Sequence, residues 1–251
     1  MNLHANESSP TGTYAEGMPW NPVERVILER RSIRSFRPEP LPDGMIRRIL
    51  EAGRFAPSAG NMQPWRFVVI KSPEIIAAME RDAVRIARLF MFFLDYARGG
   101  RVRRAITMPL AKLFIRLLPN ELHAPPFMLL SQIAQGRAPV FHNAPVIVLI
   151  LEDRRGVSCP AVDIGVCGQN MVLAAHSMGA GSCWIGLIKL LRYYPKWRRR
   201  LGARYPYHMN ESIAFGWPRP TADGLVPREV QIVEWREGGP DDPPRYERQG
   251  G

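Results

Sequence analysis

The sequence predicts a single α+β domain. Strand-like and helix-like stretches are mixed along all 251 residues, with no low-complexity linker in the middle and no internal repeat. One run, APVIVLILE at 144–152, is apolar throughout and reads as a central strand buried on both faces. At 46% hydrophobic and 23% charged residues, the chain can bury a core without disulfides or metals. The domain is expected over 22–236, between a flexible polar tail at 1–21 and a second at 237–251.

In chain order, Asn21 is placed to cap a helix whose first residue is Pro22, with Val23, Val26, Ile27 and Arg30 at helical spacing. A second helix begins at the Asp43 cap and repeats Met45, Ile46, Ile49, Leu50 and Phe55 before Pro57 stops it. The turn-forming loop SAGNMQP then leads into the β-branched and aromatic strand WRFVVI, 65–70. Residues 74–98 read as helix. Residues 99–125 form a basic, amphipathic helical insertion between prolines, with its most amphipathic part from Pro109 to Leu118. After the central strand, a helix from Ala161 to Met178 meets the stop signals Gly179 and Gly181. SCWIG is a short extended piece, helix returns at 189–201, and ESIAFGW and EVQIVEW supply two further strands.

Thirty-four Lys and Arg against 23 Asp and Glu give a formal charge of +11, which favours nucleic acid, anionic membrane or phosphorylated ligands. Three cysteines without a C-x-x-C pair point to a reducing compartment and a cytoplasmic location. No apolar run reaches the roughly 18 residues that span a bilayer. The nearest, LFMFFL at 89–94, is bracketed by Arg88 and Arg98.

The motifs narrow the chemistry. Neither G-x-x-x-x-G-K-[ST] nor G-x-S-x-G occurs, and the five histidines lack ligand spacing, so P-loop hydrolysis, a nucleophile elbow and a metal centre are not expected. GAGSCWIG closes a helix where a dinucleotide fingerprint would open one. ERRSIRSF, 29–36, sets Arg30, Arg31 and Arg34 around the hydroxyls of Ser32 and Ser35. Guanidinium forks beside a hydroxyl suit a phosphate, although a solvated helix end explains the same charges. In SAGNMQPW, Asn61 and Gln63 offer amide edges that can match a pyrimidine-type ring, in a loop of residues small enough for a flat ligand to approach. A plain turn before an edge strand is the simpler alternative. Arg228, in PRE, adds a late arginine.

Taken in order, ERRSIRSF, APSAGNMQPWRFVVI, DIGVCGQNMVLAAHSMGAGSCWIG and FGWPRP with PRE resemble the flavin-dependent nitroreductase family, from about Val23 to Trp235 apart from the basic insertion. The resemblance implies a central mixed or antiparallel sheet flanked by helices, in an intertwined homodimer holding two FMN at the subunit interface. It implies that Arg30, Ser32 and Arg228 hold the FMN phosphate with help from Arg31. Arg34 would stabilise negative charge at the flavin N1 and O2 edge. Pro57, Ser58, Ala59 and Asn61 correspond to the loop that meets the isoalloxazine from the partner subunit. Ile185 and Gly186 correspond to positions whose backbone N–H groups approach flavin N5 and O4. Several relatives carry Glu where this chain has Ile185, so nicotinamide and substrate contacts differ there.

The implied activity is hydride transfer from NADH or NADPH through FMN to a small oxidant such as a nitroaromatic or quinone, with no catalytic Ser, Cys or His required. Cys183 is expected to act as a small buried hydrophobe. Other branches of the fold fragment flavin to dimethylbenzimidazole or remove halogens; the first shares APS-x-G-x-MQPWRF, but Asn61 departs from it. A reading of another class is a basic binder of nucleic acid or anionic membrane, using Arg101–Arg104, Arg198–Arg200 and the amphipathic insertion. Nucleic acid is the less favoured partner, because basic faces are ordinarily just solvated.

Overall fold

The computed structural model describes residues 19–94, 100–117, 124–220, 226 and 228–249. Most of the tail expected at 1–21 lies outside these. Where one domain is expected, the chain forms two compact units, one joining its two ends up to Arg31 and from Pro220, the other running from Ser32 to Arg219.

In the first unit, helix α1 (Pro22–Glu29) starts as its sequence demands. Asn21 Oδ1 accepts from the N–H of Val23 and of Glu24 at 2.9 and 3.0 Å, and the Glu24 carboxylate accepts from the Asn21 N–H at 2.7 Å. This reciprocal cap satisfies the donors that a helix start leaves open. No residue of α1 is buried.

The last two strands, β5 (Gln231–Trp235) and β6 (Arg245–Gln249), pair antiparallel with Trp235 opposite Arg245. Much of the C-terminal segment expected to be a tail is therefore a hairpin. Its polar composition is what holds it. Arg245 pairs with Glu237 and Glu247 and lies 5.3 Å over the Trp235 ring, and the Gly239 N–H donates to the Asp242 carboxylate. A search for apolar packing has no means of finding such a strand.

The second unit carries a four-stranded antiparallel sheet in the order β1 (Trp65–Ile70), β2 (Val146–Asp153), β4 (Tyr207–Gly216), β3 (Gly181–Trp184). Residues 146–151 of β2 are all buried, as the apolar run predicts. Its side chains alternate between two cores. Ile147, Leu149 and Leu151 pack on one face with α3 (Pro73–Leu94), α5 (Ala124–Ala134), the 3-10 helix Gly186–Tyr193 and α7 (Pro195–Arg200). Val146, Val148 and Ile150 pack on the other with α2 (Asp43–Arg54) and α6 (Pro160–Ser177). Two helical layers thus enclose one sheet, an α+β arrangement. The insertion contributes α4 (Arg101–Leu117), which packs on α3.

The helix expected at 189–201 instead begins at Gly186 as a 3-10 turn and breaks at Tyr194 before Pro195. The ring of Pro195 disfavours helical backbone in the residue before it, and Tyr194 is extended at φ −101°, ψ 113°.

One buried carboxylate ties α7 to α3. Asp82 accepts from the Trp197 indole at 2.9 Å, Lys196 Nζ at 2.6 Å and Arg85 Nη1 at 3.0 Å. Burial alone would raise its pKa, but the hydrogen bonds and charges from Lys196, Trp197 and Arg85 outweigh it and hold the carboxyl below its ordinary 3.8. Asp82→Ala should cost about 2–3 kcal/mol in urea denaturation, since it strands the Trp197 N–H and two half-exposed cations. Because the folded pKa is lowered, this contribution is complete above the unfolded carboxyl pKa and is lost as pH falls through the folded one. The gap between wild type and variant should therefore close on acidification below that range.

Candidate functional site

The edge of the sheet at β3 gathers one group of the expected residues. The Ile33 N–H donates to the Ser182 carbonyl at 2.8 Å, and Ser32 bridges Ser182 in parallel. Ile33 and Phe36 are buried, which turns Ser32, Arg34 and Ser35 outward. Gly181 makes this approach possible, because a Cβ there would sit 2.9 Å from the Ile33 side chain. Farther on, the Arg37 N–H donates to Trp217 O, and Arg219 Nε donates to Phe36 O at 3.0 Å.

Arg34 influences two neighbours. The His142 pKa is lowered, first by burial and then by the Arg34 guanidinium, so the imidazole is held neutral. Burial pushes the Cys183 thiol up, and Arg34 only partly offsets this. Cys183 is 4% exposed and fills space, as expected of a small hydrophobe. His142 and Asn143 both adopt positive φ, at 53° and 54°, in the turn before β2. Two successive non-glycine residues in this region are strained and single out the turn. The sequence gives no warning of it: a lone histidine in FHNAP carries no spacing signal.

Beyond β3, the two expected backbone donors differ. The Ile185 N–H is taken by Ser212 O at 2.7 Å, while buried Ser212 Oγ donates to Ile185 O at 3.0 Å. Ile185 therefore fixes the turn and has no N–H left for a ligand, contrary to the sequence expectation. The Gly186 N–H opens the 3-10 helix, where a helix start has no intrahelical acceptor to offer it. The Glu211 carboxylate packs against Gly186, 3.5 Å from where a Cβ would stand, and Lys189 Nζ lies 3.8 Å from Glu211 Oε1. Trp184 reaches its place only because Gly168 of α6 lacks a side chain; a Cβ would fall 2.2 Å from the indole.

The small-residue loop lies at the far side of the sheet, where Pro57, Ser58, Ala59, Asn61 and Gln63 precede β1. Ser58 Oγ accepts from the Gln63 N–H at 2.9 Å, and the Asn61 N–H donates to Ser58 O. Gly60, Asn61 and Gln63 all have positive φ, so the loop is a compact coil. Gln63 Nε2 donates to Asn61 Oδ1 at 3.2 Å, leaving both amides exposed at the surface. A cleft of about 300 Å³ beside the loop is lined by Gln63, Trp65, Asp153, Arg155 and Tyr207 among others.

These two groups stand at opposite edges of the sheet. β1 and β3 are the outer strands, three inter-strand steps apart, or roughly 14 Å. Along the strands, Ile185 is level with Ser212, Leu149 and Val68, three residues and roughly 10 Å from Trp65. Between the Trp65 and Ile185 backbones these spacings amount to roughly 17 Å.

Arg30, Arg31 and Arg228 fall in the other unit. Arg30 is half-buried, and its Nε is buried with no hydrogen-bond partner.

The sequence profile of the Nitroreductase family matches residues 27–217. The chain belongs to the nitroreductase family. The nitrobenzene nitroreductase of Ectopseudomonas oleovorans is 29% identical over 238 residues, covering 88% of this chain and 96% of that protein. The nitroreductase with bound FMN from Desulfitobacterium hafniense DCB-2 shares the fold at TM-score 0.61 and 24% identity, covering 84% of this chain and 96% of the other. The FMN-dependent nitroreductase NfnB from Mycobacterium smegmatis in complex with NADPH does so at TM-score 0.54 and 23% identity, covering 78% and 86%. In this nitroreductase, Gly168→Ala should destabilise by about 1–3 kcal/mol in urea denaturation, the overlap with Trp184 outweighing the helix propensity gained.

Proposed function

We propose that the protein is an FMN-dependent NAD(P)H oxidoreductase acting on a small oxidant such as a nitroaromatic or a quinone. The observation that carries this reading is the family match over 27–217, which runs through the arginine–serine cluster, the small-residue loop and the Ile185–Gly186 turn. Bound FMN would supply the redox chemistry, taking a hydride from NADH or NADPH and passing it to the oxidant.

The residues present fit that cofactor. The Arg30 Nε, buried with no hydrogen-bond partner, would give an anion a donor. Arg30, Arg31, Ser32 and Arg228 would hold the phosphate, and Arg34 would oppose negative charge at the pyrimidine edge of the ring. Gly186 alone would offer the backbone donor at N5, since Ser212 occupies the Ile185 N–H. Neutral His142 beside Arg34 leaves that guanidinium as the local cation.

A homodimer belongs to the same reading. The β3 edge and the Ser58–Gln63 loop lie at opposite edges of the sheet, and in this reading the ring takes one from each chain. The oxidant would enter from solvent, and a flavin enzyme drawing on the NAD(P)H pool, with free thiols, fits the cytoplasm. The flavin-fragmenting and dehalogenating branches remain within reach of the same architecture.

The purified protein should be yellow and should release FMN on heating; colourless protein that refuses added FMN would refute the reading. Arg30→Ala should weaken FMN binding roughly tenfold to a hundredfold by fluorescence titration, the range of a lost charge-assisted contact. Anaerobic stopped-flow with NADH and NADPH in turn identifies the reductant. Co-expressed Arg34→Ala and Asn61→Ala chains should form heterodimers with one intact and one doubly altered site. Their nitroreductase activity should exceed that of either homodimer, and light scattering should give twice the chain mass of 28.4 kDa.

A further inference from the structure

Helix α4 presents two apolar faces, and among the described residues only one of them is packed. Thr107 and Ala111 are buried toward α3, with Thr107 Oγ1 donating back to Arg103 O at 3.0 Å. A second stripe, Val102, Ile106, Leu110 and Leu113, follows steps of four, four and three, and so runs along one side of the helix. It stands in the open, at 76%, 59%, 45% and 52% exposure. Solvated helices of monomeric proteins do not usually carry such a continuous row.

Its surroundings are cationic. Arg101, Arg104, Lys112 and Arg116 are exposed on the same helix, which has no carboxylate anywhere in its length. From residue 83 to residue 151 the sequence holds nine Lys and Arg against two acids, Asp95 and Glu121. Leu89, Phe92 and Phe93 at the end of α3 are exposed too, as are Met128 and Leu129 of α5. Arg103 fastens the first turn of α4 to α3, donating to Phe92 O at 2.8 Å and stacking 4.6 Å over the Phe92 ring.

We propose that this helical layer docks on an anionic lipid bilayer, with α4 lying in the plane of the interface. The charge decides the occupant. A second copy of the same face would set like charges together, which disfavours a homotypic contact. A nucleic acid would engage the arginines but leave the apolar stripe in water. An anionic bilayer meets both needs: the stripe enters the acyl boundary while long basic side chains reach back to the headgroups. Among the described residues no helix is long and apolar enough to cross a membrane, so the contact is with one leaflet. This inference is independent of the flavin reading.

The test is sedimentation of the purified full-length protein with phosphatidylcholine vesicles and with mixed phosphatidylcholine–phosphatidylglycerol vesicles. Binding is expected to the mixed vesicles only, and to weaken as salt rises. The double variant Ile106→Asp/Leu110→Asp should lose roughly tenfold or more of that binding. Arg101→Gln/Lys112→Gln should weaken it roughly tenfold. Both variants should keep the wild-type thermal midpoint and FMN content, because all four side chains are exposed. No binding to anionic vesicles, or undiminished binding by the aspartate variant, overturns the proposal. So does a fall in that variant's molecular mass, which would assign the face to contact between copies. Retention on duplex DNA by a protein that ignores vesicles would assign the cations to a polyanion.

Discussion

The sheet's strand order is the constraint from which the rest follows. Because β2 and β4 occupy the middle, the two loops richest in ligand-type groups, one entering β1 and one leaving β3, are held at opposite edges. Backbone pairing makes that spacing rigid, since each inter-strand step is set by hydrogen-bond length rather than by side chains. Both faces of β2 are packed under helices, so the sheet has no freedom to fold its edges together. Each loop therefore keeps its own edge of the sheet.

At the β3 edge, close backbone contact takes the place of side-chain packing. Gly181 brings the Ser32–Phe36 segment against the strand, and Ser212 locks Ile185 through two hydrogen bonds in opposite directions. Ile185 is 4% exposed and anchors the turn from within the core, while the Glu211 carboxylate, on the neighbouring strand, packs against Gly186. The side chain at 185 is structural, and the carboxylate near this turn belongs to β4.

Much of this was legible in the sequence where one physical signal dominated. WRFVVI is a strand at its expected bounds, and Asn21 and Pro22 start α1 because cap chemistry is local. The turn at Phe141–Ala144 was not legible, because its positive φ values are imposed by packing around Ala144 and β2. Of the β5–β6 hairpin only β5 was legible, as EVQIVEW; β6 lacks hydrophobic alternation, and Arg245 in it pairs with Glu237 of the connection and Glu247 of its own strand. In the site, residue types announced themselves while availability did not. Ile185 carries a backbone N–H like any other residue, and only the tertiary register with Ser212 shows that this donor is already taken.

The distribution of charge separates two functions that composition merges. A flavin phosphate carries at most two negative charges, far fewer than the chain's formal +11 would balance. The remaining excess is not spread evenly, since nine cations against two carboxylates lie between residues 83 and 151. Charge that served only solubility would have no reason to border a row of exposed Val, Ile and Leu side chains, whose exposure works against solubility. Cations flanking an apolar row become favourable together only where an apolar medium lies under a negative surface. The insertion therefore calls for a partner of its own, distinct in chemistry from the cofactor that the rest of the chain is shaped to hold.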